Sequence, residues 1–567
     1  MMMISVWNLI FLVFFFLSFL SFYLSIYLLN SSLGFFLNWT IFSWGSSDVS
    51  MIFLFDWVSL MFMSFVLFIS GSVFFYSGEY MEGEKEMSRF IFLLAGFVGS
   101  MVLLILSPNL ISILLGWDGL GLVSYCLVIY YQNFNSLNAG ILTVLSNRVG
   151  DVLILLGIVL MINFGDWSFL AWMGDSYILS FVSLLIILAS LTKSAQIPFS
   201  AWLPAAMAAP TPVSSLVHSS TLVTAGIYLV IRLGWVYDFW LNEMLMILSV
   251  LTMFMAGLGA SFEFDLKKVI ALSTLSQLGL MMFSISLGLV KFALFHLLTH
   301  ALFKALLFMS AGCMIHGYKG WQDLRSMGSV MISLPFVSVC FVISNLALSG
   351  MPFLAGFYSK DLILELSLMS ELNLLSLVLL FLSTGLTLFY TFRLIYYVVR
   401  RDYVINGVSN ISDGWGVMAI SCVGLTLFSV VFGSLLNWLL VDMVVVVLTS
   451  FLKNLTILVC LMGLVGGFFI SQSSYMFNSV KFSFVVWMSG SMWFLPMISS
   501  QPMGVLPLKG GFLMSNLGDN GWLEFMGGQG VNHYLMRLSI FMQFLSMQGL
   551  KFFIFILWVI FSILFFF

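Results

Sequence analysis

Long apolar runs without a single charge are the feature that most limits how this chain can fold. Residues 1–47 contain no Asp, Glu, Lys or Arg, and residues 90–117 and 119–147 are also uncharged on either side of Asp118. A membrane-crossing helix needs about 20 apolar residues, and the 567 residues are 62% hydrophobic but only 8% charged. The pattern excludes a soluble protein and predicts an all-α polytopic membrane protein with about 15–16 transmembrane helices.

Charge and cysteine patterns exclude several classes of function. The 20 basic and 23 acidic residues are spread over the whole chain, so no basic patch indicates nucleic acid as a partner. The five cysteines form no CxxC pair or similar spacing; they are Cys126, Cys313, Cys340, Cys422 and Cys460. We therefore expect no Fe–S cluster, structural zinc site or disulfide framework in this chain.

The amino terminus resembles neither a secretory signal nor a transit peptide, because the first basic residue is Lys85. This pattern indicates either a chain inserted from a bacterial cytosol or one made inside the organelle where it works.

Two breaks rich in Pro or Gly interrupt the helical pattern, at residues 193–212 and 348–361, each beside a lysine. Broken helices present unpaired backbone groups and dipole ends, and in transporters they mark the ion path. A simple loop between two helices is the alternative for each break.

The carboxyl-terminal region has a different composition. Residues 472–548 are richer in Asn, Ser, Gly and Gln, and they precede a final apolar segment at residues 549–567. Within this region, apolar and aromatic residues recur at helical spacing; they are Tyr534, Leu538, Phe541 and Leu545. This spacing predicts an amphipathic helix at the membrane surface, followed by a transmembrane anchor.

Ionisable residues inside apolar segments are the candidates for function, because a charge near the bilayer centre costs about 2.5 kcal/mol or more. Lys193 ends an uncharged run, and we expect Asp118 to be its counter-charge. Arg148 and Asp151 are three positions apart, so they can pair on one helix face. The alternatives are structural: a carboxylic acid hydrogen-bonded between helices, a stabilising pair, and a lysine that reaches the membrane surface.

Histidines and further lysines extend this polar set. His218 stands alone, whereas His296, His300 and Lys304 recur at i, i+4 and i+8 as one polar stripe. Histidine titrates near neutral pH, so such a stripe can pass protons. Metal or haem binding is the rival interpretation, but the HxxxH pair lacks the Glu of HExxH.

A last group follows the second break directly and consists of Lys360, Asp361 and Glu365. It is predicted either to line a proton exit or to form an interfacial cluster at a helix start.

Ordered motifs over residues 115–361 are similar to those of the antiporter-like subunits of proton-pumping NADH:quinone oxidoreductase, respiratory complex I. The motifs are GWDGLG from Gly116, NRVGD from Asn147, KSAQ from Lys193, PTPVSSLVHSST from Pro210, STLSQLG from Ser273, THALFK from Thr299, QDLRSMG from Gln322 and GMPFLAGFYSKD from Gly350. The long tail with a further apolar helix resembles that of the distal subunit, which the two shorter sister subunits lack.

The resemblance implies two inverted five-helix repeats, each with a broken helix. It divides the chain into N-terminal helices (1–107), a first repeat (108–263), a second repeat (264–400), additional helices (401–471), an interfacial segment with a lateral amphipathic helix (472–548) and a C-terminal transmembrane helix (549–567).

The resemblance also implies roles for individual residues. Lys193 matches the broken-helix lysine paired with Asp118, His218 and Lys304 match the central relay, and Lys360 matches the terminal lysine. The polar neighbours on the same axis are His296, His300, Arg148, Asp151 and Asp361. The family usually has Glu where this chain has Asp118, so the contact with Lys193 is expected to need a water or a small helix shift.

The implied function is proton translocation, coupled to electron transfer from NADH to ubiquinone elsewhere in the complex. This chain is expected to bind no cofactor or metal, with FMN, Fe–S clusters and ubiquinone held by other subunits. Expected partners are other membrane-arm subunits, especially the adjacent antiporter-like subunit, together with accessory subunits and lipids including cardiolipin. The 37 methionines fit a mitochondrial code that reads AUA as Met, so we expect the mitochondrial inner membrane.

Three alternatives remain at this stage. The first is a cation/proton antiporter subunit of the same fold, the second a passive membrane anchor, and the third a membrane haem enzyme.

Overall fold

The computed structural model describes residues 2–45, 47–168, 177–234, 239–370, 373–402, 413, 416–441, 445–472, 483–547 and 549–566. Most of these residues are helical, as the apolar runs predict. The chain separates into two compact units, residues 1–496 and residues 497–567.

The first unit begins with three long helices and a β-hairpin. The elements are α1 (Met2–Ser31), β1 (Phe35–Trp44), β2 (Ser47–Phe55), α2 (Trp57–Tyr80) and α3 (Met87–Leu106). The strands are antiparallel, with Phe35 opposite Phe55 and an irregularity between Thr40 and Phe42. The sequence-based expectation of an all-α chain missed this hairpin, because a short apolar run reads equally well as a buried helix or a strand.

The described residues around the first break form seven α-helices. They are α4 (Leu110–Val128), α5 (Phe134–Met161), α6 (Tyr177–Lys193), α7 (Trp202–Ala205), α8 (Thr211–Leu216), α9 (Leu222–Leu233) and α10 (Phe239–Phe262). Helix α6 ends at Lys193, where the first break begins, and a π-helical turn at Val217–Thr221 joins α8 to α9. Lys193 at the end of α6 and His218 in the π-helical turn therefore both lie where a regular helix is interrupted.

The region around the second break has six helices. They are α11 (Leu266–Ser286), α12 (Val290–Gly317), α13 (Val330–Ser333), α14 (Pro335–Ser349), α15 (Ala355–Met369) and α16 (Leu374–Ile395), which continues as a π turn at Tyr396–Arg400. Gly350 ends α14 with φ of +82°, a left-handed conformation that favours glycine. The break thus separates α14 from α15.

The remaining helices are α17 (Val417–Leu440), α18 (Ser450–Gln472), α19 (Ser483–Gly490), α20 (Leu495–Met514), α21 (Glu524–Met526), α22 (Gly528–Met547) and α23 (Leu550–Phe566). The predicted helix through Tyr534 and Leu545 corresponds to α22. The run Leu495–Met547 and helix α23 meet at 96°. Of the predicted interfacial segment 472–548, residues 473–482 and 548 lie outside the described residues.

Within the described residues, 12 helices are long and apolar enough to cross a membrane, or 13 if the bent pair at the end counts as one span. The predicted 15–16 segments exceed this number. Shorter apolar helices explain part of the difference, because Tyr177–Lys193 and Pro335–Ser349 end beside the two breaks. The apolar pattern counts such half-helices as full spans.

The centre of the first unit is helix α12. It packs against α2, α8, α11, α14, α15 and α17, and its residues from Ala293 to Ile315 are buried. Because α12 carries the predicted His and Lys stripe, this stripe lies in the interior of the bundle rather than facing lipid.

Candidate proton path

Lys193 is fully buried at the end of α6, and its ammonium group rests on Trp117 of α4. Its Nζ donates a hydrogen bond to the Trp117 backbone oxygen at 2.8 Å and lies 3.9 Å from the centre of the indole ring. Among the described residues, no carboxylate oxygen lies within 4.0 Å of this Nζ. Lys193 and Asp118 therefore form no direct ion pair in this structure, and the expected contact through a water or a small helix shift stays a prediction.

The partner of Asp118 is Arg148 on α5. The Nη1 atom of Arg148 lies 3.6 Å from Asp118 Oδ2 and 3.0 Å from Asp151 Oδ2, so the predicted i, i+3 pair is present. The side chains of Arg148 and Asp118 are 46% and 36% exposed in the isolated chain. Two carboxylates thus share one guanidinium on the outer side of α4 and α5.

His218 lies in the π turn and is 1% exposed. Neither ring nitrogen has a hydrogen-bond partner among the described residues, and the ring lies 6.1 Å from that of Trp202, centre to centre. Trp202 is itself fixed by a hydrogen bond from its Nε1 to the Thr192 oxygen at 2.9 Å. The π turn places the imidazole in the interior, and such turns are frequent at functional sites.

Lys304 occupies the middle of α12 and is fully buried. Its Nζ donates to the Ser273 hydroxyl of α11 at 2.5 Å. One turn away, His300 packs edge-on against Phe303, and neither of its ring nitrogens has a hydrogen-bond partner in the described part of the chain.

His296 is held by two helices. Its Nδ1 is 2.9 Å from the Ser359 hydroxyl of α15, and its Nε2 is 3.2 Å from Gln277 Oε1 of α11. The Ser359 hydroxyl is also 3.2 Å from Thr299 Oγ1 on α12. Because the Gln277 amide oxygen only accepts, Nε2 carries the hydrogen and Nδ1 accepts from Ser359, whose hydroxyl is the partner that can exchange a proton.

Lys360 follows Ser359 on α15 and is 2% exposed. Its Nζ donates to Thr387 Oγ1 of α16 at 2.9 Å. Asp361 is half-buried, and no ion pair joins it to Lys360 in the described residues. The terminal lysine, like Lys193 and Lys304, therefore donates to a neutral oxygen.

We group the residues described above into two clusters. The Lys193 cluster consists of Trp117, Asp118, Asn147, Arg148, Asp151, Lys193 and His218. The Lys304–Lys360 cluster consists of Ser273, Gln277, His296, Thr299, His300, Lys304, Ser359, Lys360 and Thr387.

Sequence reasoning missed the uncharged members of both clusters. Trp117, Gln277 and Ser359 lie inside the quoted motifs, but nothing in a single sequence separates them from packing residues. Most buried Ser and Thr side chains in this chain bond their own helix backbone, as Thr387 also does with the Thr384 oxygen at 2.6 Å. A polar residue flanking a buried lysine is the one signal that would have found Ser359.

The metal alternative finds no support in the described residues, where no group of three His, Cys, Asp or Glu side chains is placed to hold a metal ion. All five cysteines are free. Three of them, Cys313, Cys340 and Cys422, are buried.

A many-span helical bundle with a buried line of lysines and histidines, and with two broken helices, defines the class of antiporter-like membrane subunits. The fold supports this class. A chain of the Mrp complex from Dietzia sp. matches with a TM-score of 0.69 at 21% identity, over 88% of this chain and 60% of that chain. A chain of the membrane-bound sulfane sulfur reductase, an archaeal respiratory membrane complex, matches with a TM-score of 0.67 at 19% identity, over 82% and 93%.

Family models match most of the chain. The model described as NADH:quinone oxidoreductase/Mrp antiporter, TM, matches residues 107–387. Those for the complex I chain 5 N-terminus and the NADH dehydrogenase subunit 5 C-terminus match residues 39–91 and 390–567.

Curated relatives agree along nearly the whole length. The NADH-ubiquinone oxidoreductase chain 5 of Anopheles gambiae is 52% identical over 95% of this chain and 94% of its own length. That of Aedes aegypti is 52% identical over 96% of each chain, and that of Lumbricus terrestris is 44% identical over 91% and 90%. The chain belongs to the NADH-ubiquinone oxidoreductase chain 5 family. The antiporter-subunit alternative is not favoured, since the Mrp likeness, at 21% identity, shows the fold alone.

Proposed function

We propose that this chain is the subunit of complex I that translocates protons across the mitochondrial inner membrane, driven by electron transfer from NADH to ubiquinone in other subunits. One observation carries the proposal. Lys193, Lys304 and Lys360 are buried within membrane helices, and none has a carboxylate oxygen of the described residues within 4.0 Å. Ionisable groups at such places are expensive and mark proton paths.

The neutral partners of the three lysines are what make them suitable carriers. Each ammonium donates to a carbonyl or hydroxyl oxygen, which leaves its charge uncompensated. Charges interact strongly where the dielectric constant is low. A charge arriving nearby therefore changes whether each lysine keeps its proton.

The order of elements supports a path from Lys193 through His218 to Lys304, then through His300 and His296 to Lys360. His296 and Lys304 are eight residues apart on α12, which is about 12 Å along the helix. Buried polar groups without a protein partner are usually met by water. In this proposal, water completes the path beside His218 and His300, while Ser359, which hydrogen-bonds His296, directly precedes Lys360 in the chain. Asp361 is the proposed exit group.

The exposed ion pair of α4 and α5 supports a partner on this face. Asp118 lies midway along α4, and charges at that depth are disfavoured against lipid. Exposed apolar residues surround the pair and include Leu115, Leu122, Leu145 and Val149. We infer that the adjacent antiporter-like subunit covers this face and delivers the electrostatic signal to Asp118 and Arg148.

We further propose, by analogy with the family, that the chain holds no redox centre and that FMN, Fe–S clusters and ubiquinone act in other subunits. Accessory subunits and membrane lipids such as cardiolipin cover the other apolar faces. No nucleic acid takes part.

Replacement of Lys304 by methionine tests the proposal. Assembled complex with Lys304→Met is reconstituted into liposomes, and protons pumped per NADH oxidised are measured. We expect the ratio to fall while the complex still assembles. The matched control is Lys268→Met, because Lys268 is half-exposed and pairs with Asp265 at 2.7 Å. An unchanged ratio for Lys304→Met would contradict the relay.

A further inference from the structure

We propose that Trp117 is a positioning residue that holds the Lys193 ammonium away from the carboxylates of its own cluster until a signal arrives. This inference rests on the proposed function of Lys193. Trp117 offers two neutral contacts at once, its backbone oxygen at 2.8 Å and its ring centre at 3.9 Å from Nζ. The backbone oxygen and the indole ring of Trp117 together form one binding site for the Lys193 ammonium, which we call the seat.

Burial makes this seat effective. Both Trp117 and Lys193 are fully buried. Tryptophan binds cations more strongly than the other aromatic residues, and the attraction grows when water is excluded. The ring thus adds a second neutral contact that stabilises the buried ammonium.

The backbone of α4 fixes the position of the seat. Gly116 lies so close to α3 that an added Cβ would stand 2.8 Å from the Leu104 backbone nitrogen. A side chain there would push α4 away, and Trp117 with it. The indole Nε1 has no hydrogen-bond partner among the described residues, so packing and the cation orient the ring.

The competing site for the ammonium is Asp118, the next residue in the chain. Its Oδ2 lies near Arg148, and its Oδ1 has no hydrogen-bond partner in the described residues. While Arg148 holds the carboxylate, Lys193 stays on Trp117. When Arg148 turns toward a charge on the neighbouring subunit, Asp118 is freed and Lys193 can transfer to it. Lys193 therefore has two discrete positions, which is what a switch requires.

The test compares side chains of different aromatic character at position 117. Assembled complexes with Trp117→Phe, Trp117→Tyr and Trp117→Leu are reconstituted, and protons pumped per NADH oxidised are compared with the loss caused by Lys193→Met. We expect Trp117→Leu to reproduce at least about half of that loss, and both aromatic variants to retain most of the wild-type ratio, because they keep a π face.

Phe97→Leu is the matched control. Phe97 is fully buried on α3, and its replacement removes a buried aromatic ring from a neighbouring helix. Each ratio is expressed per NADH oxidised by assembled complex, so a variant that assembles in smaller amounts does not give a falsely low ratio. If Trp117→Leu does not assemble, Trp117→Met takes its place beside the aromatic variants.

The outcomes separate the two proposals. If Lys193→Met lowers the ratio but the leucine or methionine variant keeps it, the seat is wrong and the proposed function stands. If Trp117→Phe loses as much as Trp117→Leu, the role of Trp117 is packing, which also overturns the inference. If Lys193→Met itself keeps the wild-type ratio, the proposed function of Lys193 fails.

Discussion

The Lys193 cluster and the Lys304–Lys360 cluster hold their lysines in different ways. In the second cluster, hydroxyl and amide side chains from three helices contact His296, Lys304 and Lys360 directly, and within this cluster His300 alone lacks a hydrogen-bond partner among the described residues. In and beside the first, many buried polar atoms have no hydrogen-bond partner among the described residues; they belong to Asn147, Ser194, Gln196, Ser200 and His218. Asp118 and Arg148 of the first cluster are partly exposed at the outer face of the chain, whereas the second cluster is enclosed.

The difference indicates a division of work. A network of formed hydrogen bonds fixes the positions of its members and suits repeated proton transfer over one geometry. A cluster with spare donors and acceptors can adopt more than one arrangement. We therefore interpret the Lys193 cluster as the group that changes its contacts in response to a signal, which we call the switch. We interpret the Lys304–Lys360 cluster as the group that carries protons, which we call the conductor.

The largest predicted effect concerns an ion pair outside both clusters, formed by Asp56 and Arg232. Two hydrogen bonds of 2.6 and 2.8 Å join them, and Asp56 also caps α2 through Ser59. We expect Asp56→Asn to destabilise the fold by about 3 kcal/mol, because it removes a charged carboxylate that makes two hydrogen bonds with a mostly buried guanidinium. The amount of assembled complex on native gels measures this effect.

The pH dependence of this pair has a definite sign. Burial opposes ionisation of Asp56, but the hydrogen bonds and charge of Arg232 outweigh it and lower the Asp56 pKa below its ordinary value of 3.8. The contribution to stability is present above the ordinary pKa and is lost as the pH falls through the lowered one. Proton pumping per NADH in the Asp56→Asn complex that does assemble should equal that of the wild type; a lower ratio would extend the switch beyond the Lys193 cluster.

A smaller effect is expected from the hydroxyl partners in the conductor. Ser273→Ala removes the acceptor of Lys304, and Thr387→Val removes that of Lys360. Leaving a buried donor unpaired costs about 1–3 kcal/mol. We expect the pumping rate to fall about tenfold in each variant while electron transfer continues, as measured by proton uptake and NADH oxidation in the same vesicles.

Ser310→Ala is the control for these two variants, since Ser310 is fully buried on α12 but bonds only the Leu307 oxygen of its own helix. Equal rates for Ser273→Ala and Ser310→Ala would show that the contact with Lys304 has no part in conduction. The contrast between the two clusters would then lose its functional meaning.

The sequence identified candidate functional residues where a single ionisable residue interrupts an apolar run. Lys193, His218, Lys304 and Lys360 stand out because a charge or imidazole in an apolar run has a cost that packing alone does not explain. The breaks beside two of these lysines also appear where the Pro and Gly residues indicate them. Individual helices and the buried ionisable residues were therefore accessible from the sequence, whereas the relay itself stays a prediction.

Contacts between distant residues were not accessible. Lys193 and Trp117 are 76 positions apart, and no pattern in one sequence says whether a lysine meets a ring, a carbonyl or a carboxylate. The β-hairpin was missed for a related reason, because its strands gain their identity from pairing with each other. The sequence shows where the charged residues lie along the chain, but which residue each of them contacts depends on how the helices pack together.

The smallest predicted effect sharpens the account of the switch. Asp118→Glu restores the residue usual in the family and extends the carboxylate by one methylene, toward the Lys193 ammonium. Ion pairs of partly exposed groups are worth about 0–1 kcal/mol, so we expect the pumping rate to change by less than about fivefold. The informative measurement is the double variant with Trp117→Leu. A longer carboxylate supplies Lys193 with a second place to rest, so Asp118→Glu should restore part of the ratio that Trp117→Leu loses. Additive losses in the double variant would mean that Trp117 and Asp118 do not compete for the same ammonium.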